Sequence, residues 1–125
     1  MKANFRFMNM EIWKESISLN DQLFDLSDLL ENDKKFRVAE QLRGASLSIS
    51  NNIAEGSGSY SNKDFGHFLN IARRSVFEVV NILIVSNKRA YLSDEKLEIF
   101  LTHLDLLSRK ISNFRKSILS KKLEN

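Results

Sequence analysis

The chain has 125 residues, of which 42% are hydrophobic; it holds four glycines, no proline and no cysteine, and its formal net charge is +3. That length makes one domain with a real core. The missing cysteines exclude a disulfide framework, thiolate zinc sites and thiol catalysis, and the absence of proline with so little glycine excludes a turn-dense sheet protein.

Charge is unevenly spread. Seven acids against one lysine over residues 10–33 leave that stretch at −6, while sixteen Lys and Arg against nine acids from residue 34 onward leave the remainder at +7. Such a division gives either helix faces that attract one another within the chain or a basic surface for an anionic partner. Residues 1–10 contain no signal-peptide core, and the longest apolar run, 79–85, is short and broken by Asn81. A cytoplasmic protein with no membrane association is therefore expected.

Taken in order, residues 1–9 read as an arm whose Phe5 and Phe7 can dock on the body of the domain. A first helix is predicted over about 10–31, where Ile12, Trp13, Ile17, Leu19, Leu23, Phe24, Leu26 and Leu30 cover a wide apolar arc. A short connection at Asn32 and Asp33 returns the chain antiparallel into a second helix over about 35–56. Val38, Leu42, Ala45, Ile49 and Ile53 form its apolar face, but the positions between them are nearly all Ser, Asn, Gly or Ala. Those residues weaken an isolated helix, with Gly44 alone costing about 1 kcal/mol, and they permit close approach of neighbouring backbones. Gly56 and Gly58 are expected to end the helix through a left-handed backbone.

A third helix follows over about 63–91, capped by Ser61 or Asn62, with a core stripe of Phe65, Leu69, Ala72, Val76, Val80 and Leu83. Between residues 76 and 85 it is apolar almost all round. A helix of that kind must be covered all round, so a homo-oligomer is expected with Phe77, Ile82 and Ile84 in the interface. Ser93 followed by Asp94 and Glu95 opens a fourth helix over about 93–120, whose Phe100, Leu104, Leu107, Ile111, Phe114 and Ile118 form a heptad seam. The fold class is all-α: an up-down antiparallel four-helix bundle in a single domain.

Catalytic and cofactor chemistry finds no constellation. Asp64 and His67 have the carboxylate-x-x-His spacing of carboxylate-bridged di-metal bundles, but Phe100 stands three before His103, so the second copy is missing. Neither histidine has the preceding arginine used by helical RNA-cleaving domains, and Gly56-Ser57-Gly58 follows a helix and lacks a phosphate-reaching lysine. No enzyme activity, metal or cofactor is expected. Glu55 is read as a carboxylate that fixes the turn after helix 2, paired with Arg43, Arg73 or Arg74, and Asn52 as hydrogen-bonding glue between close backbones. Arg73 and Arg74, widened by Arg43, Lys88 and Arg89, suit either phosphates or salt bridges between subunits.

Ser-Ile-Ser-Asn-Asn-Ile-Ala-Glu-Gly at 48–56, preceded by Gln41-Leu42-Arg43 and followed by Phe65-x-x-Phe68-Leu69-x-x-Ala72-x-x-Ser75-x-x-Glu78, closely resembles the four-helix bundle proteins of the 23S rRNA intervening-sequence family. The resemblance runs over nearly the whole chain. It implies a ring-like homo-oligomer, a pentamer in that family, with no enzymatic activity and an origin in insertions of bacterial large-subunit rRNA genes. A related branch, the accessory proteins of diversity-generating retroelements, implies two partners, a nucleic acid and a reverse transcriptase, met through a basic surface. Two departures stand out: Arg43-Gly44 where the family often has Arg-Arg, and Arg73-Arg74-Ser75 where it often has Gly-Ser after the helix 3 Ala.

Overall fold

A computed structural model describes residues 3–121. A short 3-10 helix, Arg6–Asn9, leads into four α-helices: α1 Glu11–Asn32, α2 Phe36–Ser57, α3 Asn62–Lys88 and α4 Asp94–Lys121. There is no strand among the described residues. Cross-helix pairs fix the directions. Arg43, early in α2, reaches Asp28 and Glu31, late in α1, and Lys110, late in α4, reaches Glu11 and Glu15, early in α1. Gly66, near the start of α3, faces Leu119, near the end of α4. Each helix therefore runs antiparallel to the one before it, and the first and last helices are neighbours.

The ends of the helices are chemically distinct. Ser61 caps α3 by accepting the Asp64 N–H at 3.1 Å, and Ser93 does the same for α4 with the Lys96 N–H at 3.2 Å. These bonds satisfy N–H groups that have no partner within the helix. α1 and α3 each end in a Schellman turn. Lys35 N–H donates to Leu30 O and Tyr91 N–H to Ser86 O, both at 2.8 Å, with Lys34 and Ala90 in the left-handed region at φ 64°. α3 consequently stops at Lys88, short of the expected 91, because Ala90 has already left helical geometry.

The glycines do something else. No glycine among the described residues has a positive φ, and Gly58, the residue closing α2, sits in the right-handed region at φ −87°. The expected left-handed ending of α2 is thus not used. Gly56 lies inside the helix for a steric reason: a Cβ there would stand 2.7 Å from Cβ of Phe68 and 2.9 Å from the Phe65 ring. Gly66 is less strictly confined, since a Cβ there would meet the movable end of the Leu119 side chain at 2.9 Å, and a Cβ on Gly44 would meet nothing within 4 Å.

The core is one cluster running the length of the bundle, with Leu23, Leu42, Ile49, Phe65, Leu69, Leu83, Leu104 and Ile111 all but sealed from solvent. On α3 the inward valine is Val79, fully buried, while Val80 is half-buried at the edge of the cluster. In a stretch where nearly every position is apolar, hydrophobic spacing does not decide between them; the rotation of the helix about its neighbours does. Asn20 is buried and joins α1 to α2: its Nδ2 donates to Ser50 Oγ at 3.0 Å and its Oδ1 accepts from Ser46 Oγ. Ser48 and Ser75 hydroxyls meet at 2.8 Å and join α2 to α3.

Candidate functional site

The cationic residues singled out from the sequence divide into three places. Arg43 is on the α1–α2 side of the bundle, where Nη2 donates to Asp28 at 2.7 Å and Nη1 to Glu31 at 3.0 Å. The hydrogen bond with Asp28 leads in holding its pKa above the ordinary arginine value, with Glu31 adding to it. This fork is exposed to solvent, so it orients Arg43 more than it stabilises the fold. Its engagement also corrects the expected pairing of Glu55: that carboxylate is exposed and forms no ion pair among the described residues, and what Glu55 supplies to the turn is its backbone carbonyl, which accepts from Gly58 N–H at 3.0 Å.

Arg73 and Arg74 lie mid-way along α3. The Arg73 guanidinium sits 4.8 Å from the centroid of Phe77, one turn on, and its Nε is buried with no hydrogen-bond partner. Phe77 is itself 54% exposed, so the pair forms a ridge with an apolar ring and a guanidinium side by side. Arg74 is exposed and borders a shallow depression with Ser48, Ile71, Ser75 and Glu78. Asn52 lies behind it, its Nδ2 donating to Ser48 O at 2.8 Å and Ser48 Oγ at 3.1 Å. Lys88 and Arg89 are exposed at the far end of the helix. Fourteen residues at a rise of about 1.5 Å separate Arg74 from Lys88 by roughly 21 Å, so they form two spots along one stripe rather than a cluster. Ile84 is half-buried, and Ile82 packs partly on the core of the bundle.

Neither histidine has a companion set for chemistry. His67 and His103 are exposed, and among the described residues no three His, Cys, Asp or Glu side chains converge to hold a metal ion. No helix among them is long and apolar enough to cross a membrane.

Two residues that sequence patterning did not bring forward are Arg6 and Tyr60. The Arg6 guanidinium rests 4.9 Å from the centroid of Phe65, and Tyr60 projects wholly into solvent from the α2–α3 turn. The signal for them was weak: one aromatic in the most polar turn of the chain, and one cation between Phe5 and Phe7.

Four long α-helices, each antiparallel to the one before it, define the class: a small all-helical bundle protein. Within that class the chain belongs to the 23S rRNA-intervening sequence protein family, whose model matches residues 8–113. Among solved structures it is similar to a protein of unknown function from the S23 ribosomal protein family of Bacteroides thetaiotaomicron. The two superpose with a TM-score of 0.80 at 24% identity, covering 84% of this chain and 98% of that one, a likeness of fold. No curated protein matches the chain.

Proposed function

We propose that this chain is a non-enzymatic cytoplasmic protein that assembles with copies of itself into a ring, a pentamer, and binds nucleic acid through the basic outer face of α3, in association with a 23S rRNA intervening sequence or a mobile element. The observation that carries the reading is the Arg73–Phe77 ridge. A cation resting on an aromatic ring that is itself half exposed is a surface of the kind an adjoining molecule covers. Membership of the family supports the link to rRNA insertions. Arg74, Lys88 and Arg89 make no ion pair among the described residues, so they are available to phosphates.

RNA titrated into the protein at two salt concentrations tests the binding half. Contact with several phosphates makes affinity fall steeply as salt rises, and an absence of binding at low salt removes the idea. Light scattering tests the assembly half, since a 14.5 kDa particle would be a monomer. The second reading is a scaffold for protein partners, a reverse transcriptase among them, favoured by the exposed Phe77 ring, since an exposed apolar ring suits a protein surface. The Arg73→Ala, Arg74→Ala double variant separates the two. Loss of the oligomer with helicity intact supports the scaffold; an intact oligomer with weakened RNA binding supports the first reading.

A further inference from the structure

One pole of the bundle gathers the start of α1, the end of α2, the start of α3 and the end of α4. Gly56 is pressed against Phe65 and Phe68 there, and Arg115 Nε donates to Gly66 O at 2.9 Å. The 3-10 helix is folded onto this pole, packing on both α1 and α2. Phe7 lies 5.0 Å from Trp13, Phe5 stacks on Phe7 at 6.2 Å with the planes 24° apart, and Arg6 covers Phe65.

Outward, this pole carries exposed aromatic rings and cations together. Phe5 is 63% exposed and Tyr60 wholly so, although neither contributes to the core. His67, with its ring edge toward Phe68 at 6.0 Å, is exposed one turn beyond Lys63. Arg6, Lys63 and Arg115 form no ion pair among the described residues. The nearby acids are partly committed: Glu11 and Glu15 hold Lys110, while Glu55 and Asp64 remain exposed.

We propose that this pole is a stacking site for single-stranded nucleic acid, with unpaired bases laid on Phe5 and Tyr60 and their phosphates met by Arg6, Lys63 and Arg115. The proposal rests on the nucleic-acid reading above and adds to it a second place and a preference. Every base has a flat face, so stacking on aromatic rings between cations binds single strands with little regard to sequence. A duplex keeps those faces covered and meets only the cations. A lipid surface fits less well, because the exposed aliphatic side chains Leu29, Leu47, Val85, Ile99 and Leu106 lie on other parts of the bundle.

The full-length protein is titrated with a fluorescein-labelled 12-mer of oligouridylate and with a 12-base-pair RNA duplex at low salt, reading anisotropy. Emission from Trp13, the only tryptophan, is read alongside because it lies directly beneath Phe7. The expected result is single-strand binding with a change in Trp13 emission, weakened about ten-fold by Tyr60→Ala and by Phe5→Ala, unchanged in Tyr60→Phe, and duplex binding equal in all four proteins. The pole is overturned if Tyr60→Ala and Phe5→Ala bind the 12-mer as the parent does while Arg73→Ala, Arg74→Ala loses it; the α3 reading then survives. No binding of either RNA by the parent protein overturns both readings. Capture by anionic phosphatidylserine vesicles, abolished by Tyr60→Ala and without 12-mer binding, replaces this proposal with a lipid surface.

Discussion

The bundle has one tight seam and one loose one. Between α2 and α3 small residues bring the helices together: Ser48 meets Ser75 directly, and Gly56 admits Phe65 and Phe68. Between α1 and α4 the seam gapes into shallow grooves lined by Leu26, Leu29, Ile99, Phe100 and Leu106, and the ion-pair clasp across it among the described residues is Lys110 holding Glu11 at 3.0 Å and Glu15 at 2.6 Å. Leu29, Ile99 and Leu106 are each at least half exposed there. Small side chains thus allow the close α2–α3 approach, whereas the α1–α4 grooves are lined by large side chains that the described residues leave partly uncovered.

Substitutions can break this contrast. The largest effect is expected from Gly56→Val, which forces two extra methyl groups and a Cβ into the Phe65 and Phe68 contact; a loss of about 3 kcal/mol or more in urea unfolding is expected. Asn20→Ala should follow, costing about 2 kcal/mol by leaving the buried Ser46 hydroxyl without its acceptor and removing the amide that bridges α1 and α2, measured the same way. On the loose seam Leu106→Gln should change stability by no more than about 0.5 kcal/mol, and a large loss would show that the groove is closed in solution by another subunit. Lys34→Gly and Ala90→Gly are expected to raise stability by about 1 kcal/mol each, since glycine relieves the left-handed backbone that lysine and alanine occupy there.

The smallest effect concerns pH. Hydrogen bonds to Glu15 first, and then to Glu11, hold Lys110 above its ordinary pKa. A cation favoured in the folded state contributes fully below the unfolded lysine pKa and is lost as pH rises through the higher folded value. The melting temperatures of the parent and Lys110→Met should therefore converge as pH is raised past about 10.5, and they should also converge in high salt because the clasp is exposed.

Much of this architecture was legible in the sequence because the helices are long and strongly periodic. The Ser61 and Ser93 caps and the α4 seam through Leu104, Leu107 and Ile111 are local signals that tertiary structure had no reason to override. The Asn-Ile-Ala-Glu-Gly stretch marked the family, and the matched span bears that out. What failed were positions whose residue type serves two purposes. Gly56 looked like a helix ending and is a steric notch, while the left-handed positions fell to Lys34 and Ala90, which carry no sequence signal for that conformation. Glu55 was expected to pair with Arg43, Arg73 or Arg74, but antiparallel packing of α1 and α2 puts Arg43 beside Asp28 and Glu31, and among the described residues neither α3 arginine forms an ion pair with Glu55. The aromatic pole was hidden because Arg6, Tyr60 and Arg115 are far apart along the chain and come to one end of the bundle only through folding.

Buried serines have a consequence for how the chain folds. Ser16, Ser27, Ser50, Ser75, Ser86 and Ser108 each donate to a carbonyl of the preceding turn of their own helix. Such a hydroxyl is satisfied the moment its helix forms and waits for no partner. Helices can then dock without stripping water from an unmet polar group, and most docking joins segments adjacent in the chain. Low contact order of this kind favours assembly in microseconds to milliseconds. Asn20 is the exception: its amide must find α2, which makes it the point at which two sliding helices lock into register.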